Sequence, residues 1–163
     1  MNESAMERYL HEHIPQSRAM GVSVRSATVS CVTLSAPFAP NINHRDTVFG
    51  GSASAVAMLA AWTLVYEAIE REGLSCQLVI QRNTMEFLRP ITGEFTASSV
   101  VEDPSDWSAF LHTLKRKGKA RVTVPAVLHC HGERVGTFEG VFVALETANQ
   151  SGSGSGDASH TTP

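Results

Sequence analysis

Residues 53–65, Ala-Ser-Ala-Val-Ala-Met-Leu-Ala-Ala-Trp-Thr-Leu-Val, carry only Ser54 and Thr63 as polar side chains. A helix that is apolar nearly all round has to be wrapped by the rest of the chain rather than laid on its surface. The helix is predicted from about Ser52 to Glu72, with Gly73 at the left-handed stop position. It is opened by a polar loop, Asn43-His44-Arg45-Asp46-Thr47-Val48-Phe49-Gly50-Gly51-Ser52. The first turn of any helix keeps unpaired N–H groups and the positive end of the dipole. Gly50 and Gly51 have no Cβ, so another group can approach those donors closely, and an oxyanion or carbonyl oxygen fits the chemistry.

The 163 residues suffice for one core and little more. From Thr147 onward no large apolar side chain occurs, so 147–163 is expected to be a flexible Gly/Ser-rich tail and 1–146 the folded domain. A net charge of −3 leaves no basic surplus for neutralising phosphates, which argues against nucleic acid as the main partner. Met1–Ile14 has no apolar run of the signal-peptide kind, and the apolar helix meets Glu67 too early for a lipid-exposed span. The expectation is a cytoplasmic protein without a membrane partner. Cys31, Cys76 and Cys130 are odd in number and widely spaced, so buried free thiols are expected rather than disulfides.

Elsewhere the pattern is mostly strand. Ser4–His13 reads as a short helix with Met6, Tyr9 and Leu10 on one face, stopped by Pro15. Residues 21–37 alternate as one strand with a phase change that implies a bulge. Cys76–Leu88 and Glu94–Glu102 read as strands whose short link implies antiparallel neighbours. Asp106–Lys117 is an amphipathic helix with Trp107, Phe110, Leu111 and Leu114 on one face, ending at Gly118. Ala120–Cys130 and Val135–Leu145 form a closing hairpin, with Pro125 demanding a bulge or an edge. About five strands and one fully apolar helix describe an antiparallel sheet curled around a central helix, an α+β arrangement.

On these residues the chain resembles the hot-dog fold thioesterases, over nearly all of residues 14–146. Asn43-x-x-x-Thr47-x-Phe49-Gly50-Gly51 is similar to the Asn-x-x-Gly-Thr-x-His/Phe-Gly-Gly loop of acyl-CoA thioesterases. Glu86-Phe87-Leu88-Arg89-Pro90-Ile91-Thr92-Gly93-Glu94 resembles that superfamily's Phe-Leu-Arg-Pro strand end, and Met20-Gly21-Val22 its lead into the first strand. The extra helix at Asp106–Lys117 is similar to that of the YiiD C-terminal-type family, which in some bacteria follows an acetyltransferase domain. The resemblance implies an acyl thioester as ligand, with coenzyme A or an acyl carrier as part of the substrate and no separate cofactor or metal. It also implies a homodimer or dimer of dimers with sites shared between subunits. Gly51 and Ser52 would offer N–H groups to the thioester carbonyl, where charge develops in the transition state. Asn43 would orient the water or the thioester, and Thr47 would brace the loop. Phe49 and Gly50 complete the expected substrate-binding segment.

The sequence departs from the pattern in the helix itself. Many hot-dog thioesterases carry a carboxylate about two turns in, whereas this chain has Ala57-Met58-Leu59-Ala60. Asp46 is the nearest candidate base, with a turn-forming or dipole-stabilising role as the alternative. His44 can accept a proton near neutral pH, and Glu86 lies on a strand that either faces a partner subunit or, as is commoner for a strand Glu, is solvated. Lys115, Arg116, Lys117, Lys119, Arg121 and Arg89 form either a solvated basic face or a site for coenzyme A phosphates. His129 and His131 lack a third metal ligand at suitable spacing, and Gly50-Gly51-Ser52-Ala53-Ser54 is not a nucleophile elbow. Two rivals to hydrolysis remain: a non-catalytic acyl-thioester-binding module, and an acyl hydratase or dehydratase of the same fold.

Overall fold

The computed structural model describes residues 1–147. Helix α1 (Glu3–His13) opens with the Asn2 side chain accepting the Ala5 N–H at 2.9 Å, and it buries Met6 and Leu10. Pro15 does end α1, but it also starts a second short helix, α2 (Pro15–Ala19). Proline's fixed φ and missing N–H suit a first helical position, so one residue serves as stop and start.

The expected first strand is two. β1 (Ser23–Ala27) and β2 (Cys31–Ala36) pair antiparallel around a turn in which the Thr28 hydroxyl accepts the Cys31 N–H at 3.0 Å. A ladder irregularity between Val24 and Ser26 supplies one phase change, and the turn reverses the chain. Central helix α3 (Gly50–Arg71) follows a loop containing a 3-10 turn at Ala39–Asn41. The remaining elements are β3 (Cys76–Phe87), β4 (Phe95–Val100), α4 (Pro104–Lys117), β5 (Lys119–Cys130) and β6 (Glu133–Glu146).

The six strands form one antiparallel sheet in the order β1-β2-β4-β5-β6-β3. β3 and β4, expected as neighbours, lie on opposite sides of the β5–β6 hairpin. Three strand spacings amount to roughly 14 Å, which the link between Phe87 and Phe95 spans with ease. Pro125 pairs with Glu139 on β6, but the β4 ladder ends at Val127, so the missing donor faces a local edge as proline requires.

α3 packs against β2, β3, β4, β5 and β6. Ala53, Val56, Ala57, Ala60, Ala61 and Val65 have no measurable exposure. α3 is long and apolar enough to cross a membrane, yet 67% of its most apolar window is buried inside the fold. The Glu67 carboxylate is buried as well, and it is held by the Met1 amino group at 3.0 Å and Arg71 Nε at 3.3 Å. Of the cysteines only Cys130 is buried. Cys31 and Cys76 are half-exposed, and all three are free thiols. Thr147, expected to begin the tail, donates its N–H to Ser75 O at 2.9 Å, so it belongs to the fold. The rest of the expected tail lies outside the described residues.

Candidate active site

The start of α3 has three donors and no cap. Phe49 occupies the cap position and has no side-chain acceptor to offer; its own N–H is taken by Asn41 O at 2.7 Å. Ala53 N–H is the first to find a helical partner, at Phe49 O. The N–H groups of Gly50, Gly51 and Ser52 therefore have no acceptor among the described residues. At Gly51 the missing Cβ leaves room for a contact that the sequence does not show. A Cβ there would lie 2.2 Å from Cε1 of Phe49, whose ring folds back over the helix start. At Gly50 a Cβ would meet the Phe87 ring at 3.2 Å. Both rings are more than half exposed, so the donors sit beneath an aromatic rim open to solvent.

The preceding loop is held by Asn43. Its Nδ2 donates to Thr47 Oγ1 at 3.0 Å, and its Oδ1 accepts the N–H of Arg45 at 2.8 Å and of Thr47 at 3.4 Å. Its N–H donates to Thr47 O at 2.8 Å. The amide is thus committed to loop geometry, and Thr47 is its counterpart. Asp46 stands in the left-handed region with φ 55°, where Asp, Asn and Gly are the tolerated residues. Its carboxylate is exposed and makes no hydrogen bond or ion pair among the described residues. The left-handed turn accounts for glycine being the usual residue of the resembling loop. His44 is exposed too, and its ring nitrogen accepts from Arg45 Nε at 3.3 Å. Val48 N–H donates to Ile91 O at 2.8 Å, which ties the loop to the β3–β4 link.

From Gly51 an apolar cavity of about 360 Å³ runs along one face of α3, lined by Ser54, Ala55, Met58, Leu59 and Trp62 at helical spacing. Ile14, Gln16 and Met20 cover it from the α1–α2 side, and Ile80 and Phe142 from the sheet. A volume of this size falls in the usual range of small-molecule sites, roughly 300–1,000 Å³. No ionisable side chain lines it. Behind Trp62, outside the lining, stands a stack of rings. Trp62 lies on Tyr66 at 4.8 Å, Tyr66 on Tyr9 at 4.9 Å, and Tyr9 on His13 at 4.1 Å. Burial, with Tyr9 alongside, pushes the Tyr66 phenol above its ordinary pKa, so it stays neutral.

Three features escape sequence reasoning. Asn41 is buried and fastens three segments: Nδ2 donates to Met20 O and Pro37 O, both at 2.8 Å, while its carbonyl holds Phe49. Its Oδ1 has no partner among the described residues. Pro40-Asn41 was legible only as part of an irregular loop. Trp62 and Phe87 read as core and strand residues, because nothing local marks that one lines the cavity and the other covers Gly50. Of the six basic residues, Arg89 lines a groove beside the helix start together with Thr47, Gly50 and Phe87. Lys115 pairs with Glu72 and Arg89 with Glu133, and none of the six lines the cavity. Glu86 is exposed on β3 opposite Thr137.

Solved structures share this architecture. A protein of unknown function from Chlorobaculum tepidum TLS superposes with a TM-score of 0.83 at 27% identity, covering 89% of this chain and 94% of that one. The "putative thioesterase from Shewanella oneidensis" gives 0.79 at 26% identity, with 88% and 96% covered. A Pseudomonas aeruginosa protein at 20% identity and a TM-score of 0.76 supports the fold alone. Residues 3–146 match the family described as "Putative thioesterase (yiiD_Cterm)". With that match spanning the helix, the glycine loop and all six strands, the chain belongs to the YiiD C-terminal-type thioesterase family and has its hot-dog fold.

Proposed function

We propose that the protein hydrolyses acyl thioesters carried on coenzyme A or an acyl carrier protein. The observation that supports this most is the set of unpaired N–H groups at Gly50, Gly51 and Ser52, of which Gly51 lines the start of the apolar cavity. A thioester whose acyl chain lies along Met58 and Leu59 brings its carbonyl oxygen to the helix start. As water adds to the carbonyl carbon, negative charge collects on that oxygen, and fixed N–H dipoles stabilise it without having to reorganise. The tetrahedral intermediate then collapses by breaking the C–S bond, which releases the thiol and a carboxylic acid. Asn43 acts through the loop, setting the approach to Gly51, and Asp46 is the ionisable group available to take the proton from water. A second copy pairing along β3 would cover the rim at Phe49 and Phe87.

The rival favoured by a specific observation is an acyl-binding module, because no carboxylate or imidazole lines the cavity. Thiol release from a panel of acyl-CoA thioesters decides between them. Hydrolysis is expected, with Asn43→Ala lowering turnover by on the order of 10²-fold through misplacement of the loop. Asn and Gly both accept the left-handed backbone at position 46. A rate lost in both Asp46→Asn and Asp46→Gly therefore reports the carboxylate, and a rate kept in both reports a turn former. No thiol release from any acyl carrier by the parent would leave the binding-module reading in its place.

A further inference from the structure

We infer that Trp62 is the chain-length stop of the cavity, which restricts the acyl group to roughly a dozen carbons. The inference rests on the reading of Gly51 as the thioester end of the cavity. α3 contributes Gly51, Ser54, Ala55, Met58, Leu59 and Trp62 to the lining, and Tyr66, one turn further, does not reach it. Eleven residues of helix rise separate Gly51 from Trp62, which is about 16 Å. An extended chain advances about 1.2 Å per bond, so that length holds roughly thirteen bonds, a chain of about a dozen carbons once the van der Waals contact with the ring is allowed for.

The stop is rigid for two reasons. The Trp62 indole stacks on Tyr66 with the planes 10° apart, and the stack continues through Tyr9 to His13, so the ring cannot swing away from the cavity without breaking a four-ring column. The indole N–H also points to Leu78 O on β3, at 3.4 Å. A longer acyl chain would have to unstack the column or bend back into solvent, whereas each methylene short of Trp62 gains apolar contact.

Binding and hydrolysis are measured separately across straight chains of six to eighteen carbons, using non-hydrolysable acyl-CoA thioethers in titration calorimetry and the matching thioesters in thiol release. Affinity should rise about fourfold per added methylene and stop rising near twelve carbons. In Trp62→Ala the break should move out by roughly four carbons, the span of the removed ring at about 1.2 Å per bond; in Trp62→Phe it should stay. Tyr66→Ala, which loosens the column without touching the lining, should blur the break. Affinity that climbs unbroken to eighteen carbons in the parent overturns the inference, whichever variants fold, as does an unmoved break in a folded Trp62→Ala. A break near twelve carbons without thiol release would leave the stop intact and remove the hydrolytic reading. Thiol release with no break would do the reverse.

Discussion

At Gly51 the structure adds a contact that the sequence does not show. The missing Cβ was expected to admit an approaching oxygen, but the structure shows that the nearest occupant is the Phe49 ring, 2.2 Å from where the Cβ would stand. Gly51→Ala must push that ring aside. The ring is 56% exposed and free to turn, and alanine is the better helix former, so the melting temperature should change little. The methyl and the displaced ring would instead crowd the unpaired N–H groups, and turnover should fall by about 10²-fold, the scale of losing an oxyanion donor. Thermal unfolding and thiol release measured on the same preparation check both halves, and a variant with parental rate would remove the donors from the mechanism. Asp46 carries a similar lesson. Its sequence position shows neither the φ of 55° nor the exposed carboxylate without a partner among the described residues, and the pair Asp46→Asn and Asp46→Gly separates base from turn former.

At the scale of elements, helices were more legible than strands. α4 illustrates why: Asp103 at its cap, Asp106 in its first turn, three basic residues in its last and Gly118 at φ 65° all act locally, within a turn of the residue concerned. The same locality makes α4 testable by pH. The Ser105 hydroxyl, at 2.7 Å, and the Ser105 N–H, also at 2.7 Å, hold the Asp103 carboxyl below its ordinary pKa of 3.8. A carboxylate depressed in the folded state stabilises it above the unfolded-state pKa, and this contribution is lost as pH falls through the folded-state value. Asp103→Ala should therefore melt below the parent at pH 7. The gap should narrow once the pH drops under about 4, as the unfolded-state carboxyl starts to take up protons. Asp103→Asn, which keeps a neutral cap, should show a smaller and pH-flatter difference. A gap equal at pH 7 and pH 3 would mean that the charge contributes nothing. Strand boundaries failed where the deciding contact was distant. The β1–β2 turn looks like a bulge in the alternation, and only pairing across Ser23 and Ser35 distinguishes the two.

For the whole molecule, sheet order was the least legible property, since a short link between β3 and β4 suits adjacent strands and a crossing equally well. The cavity was hidden for the same reason, being assembled from residues 14–20, 51–62, 80 and 142. Sheet order in turn decides where a second copy would bind. The edge at β1 is already occupied: Glu7 of α1 accepts the Val24 N–H at 2.9 Å, and His11 Nε2 bonds Val22 O at 2.8 Å. Among the described residues, no strand pairs with the outer edge of β3. It runs twelve residues with β6 as its single neighbour. Val79 on β3, Phe87 at its end, Leu88 just beyond and Phe49 beside it are all exposed apolar side chains. A long edge strand with one neighbour is a template for another strand, and an isologous pairing of two such edges closes on itself as a dimer. Light scattering at micromolar concentration should give twice the mass of the chain. Val79→Lys, which places a charge on the pairing edge, should shift the protein toward monomer while leaving its far-ultraviolet circular dichroism unchanged. The same variant should lose turnover if the partner covers the rim at Phe49 and Phe87. A parent that runs as a monomer would overturn the pairing, and a Val79→Lys dimer of parental strength would move the interface away from β3.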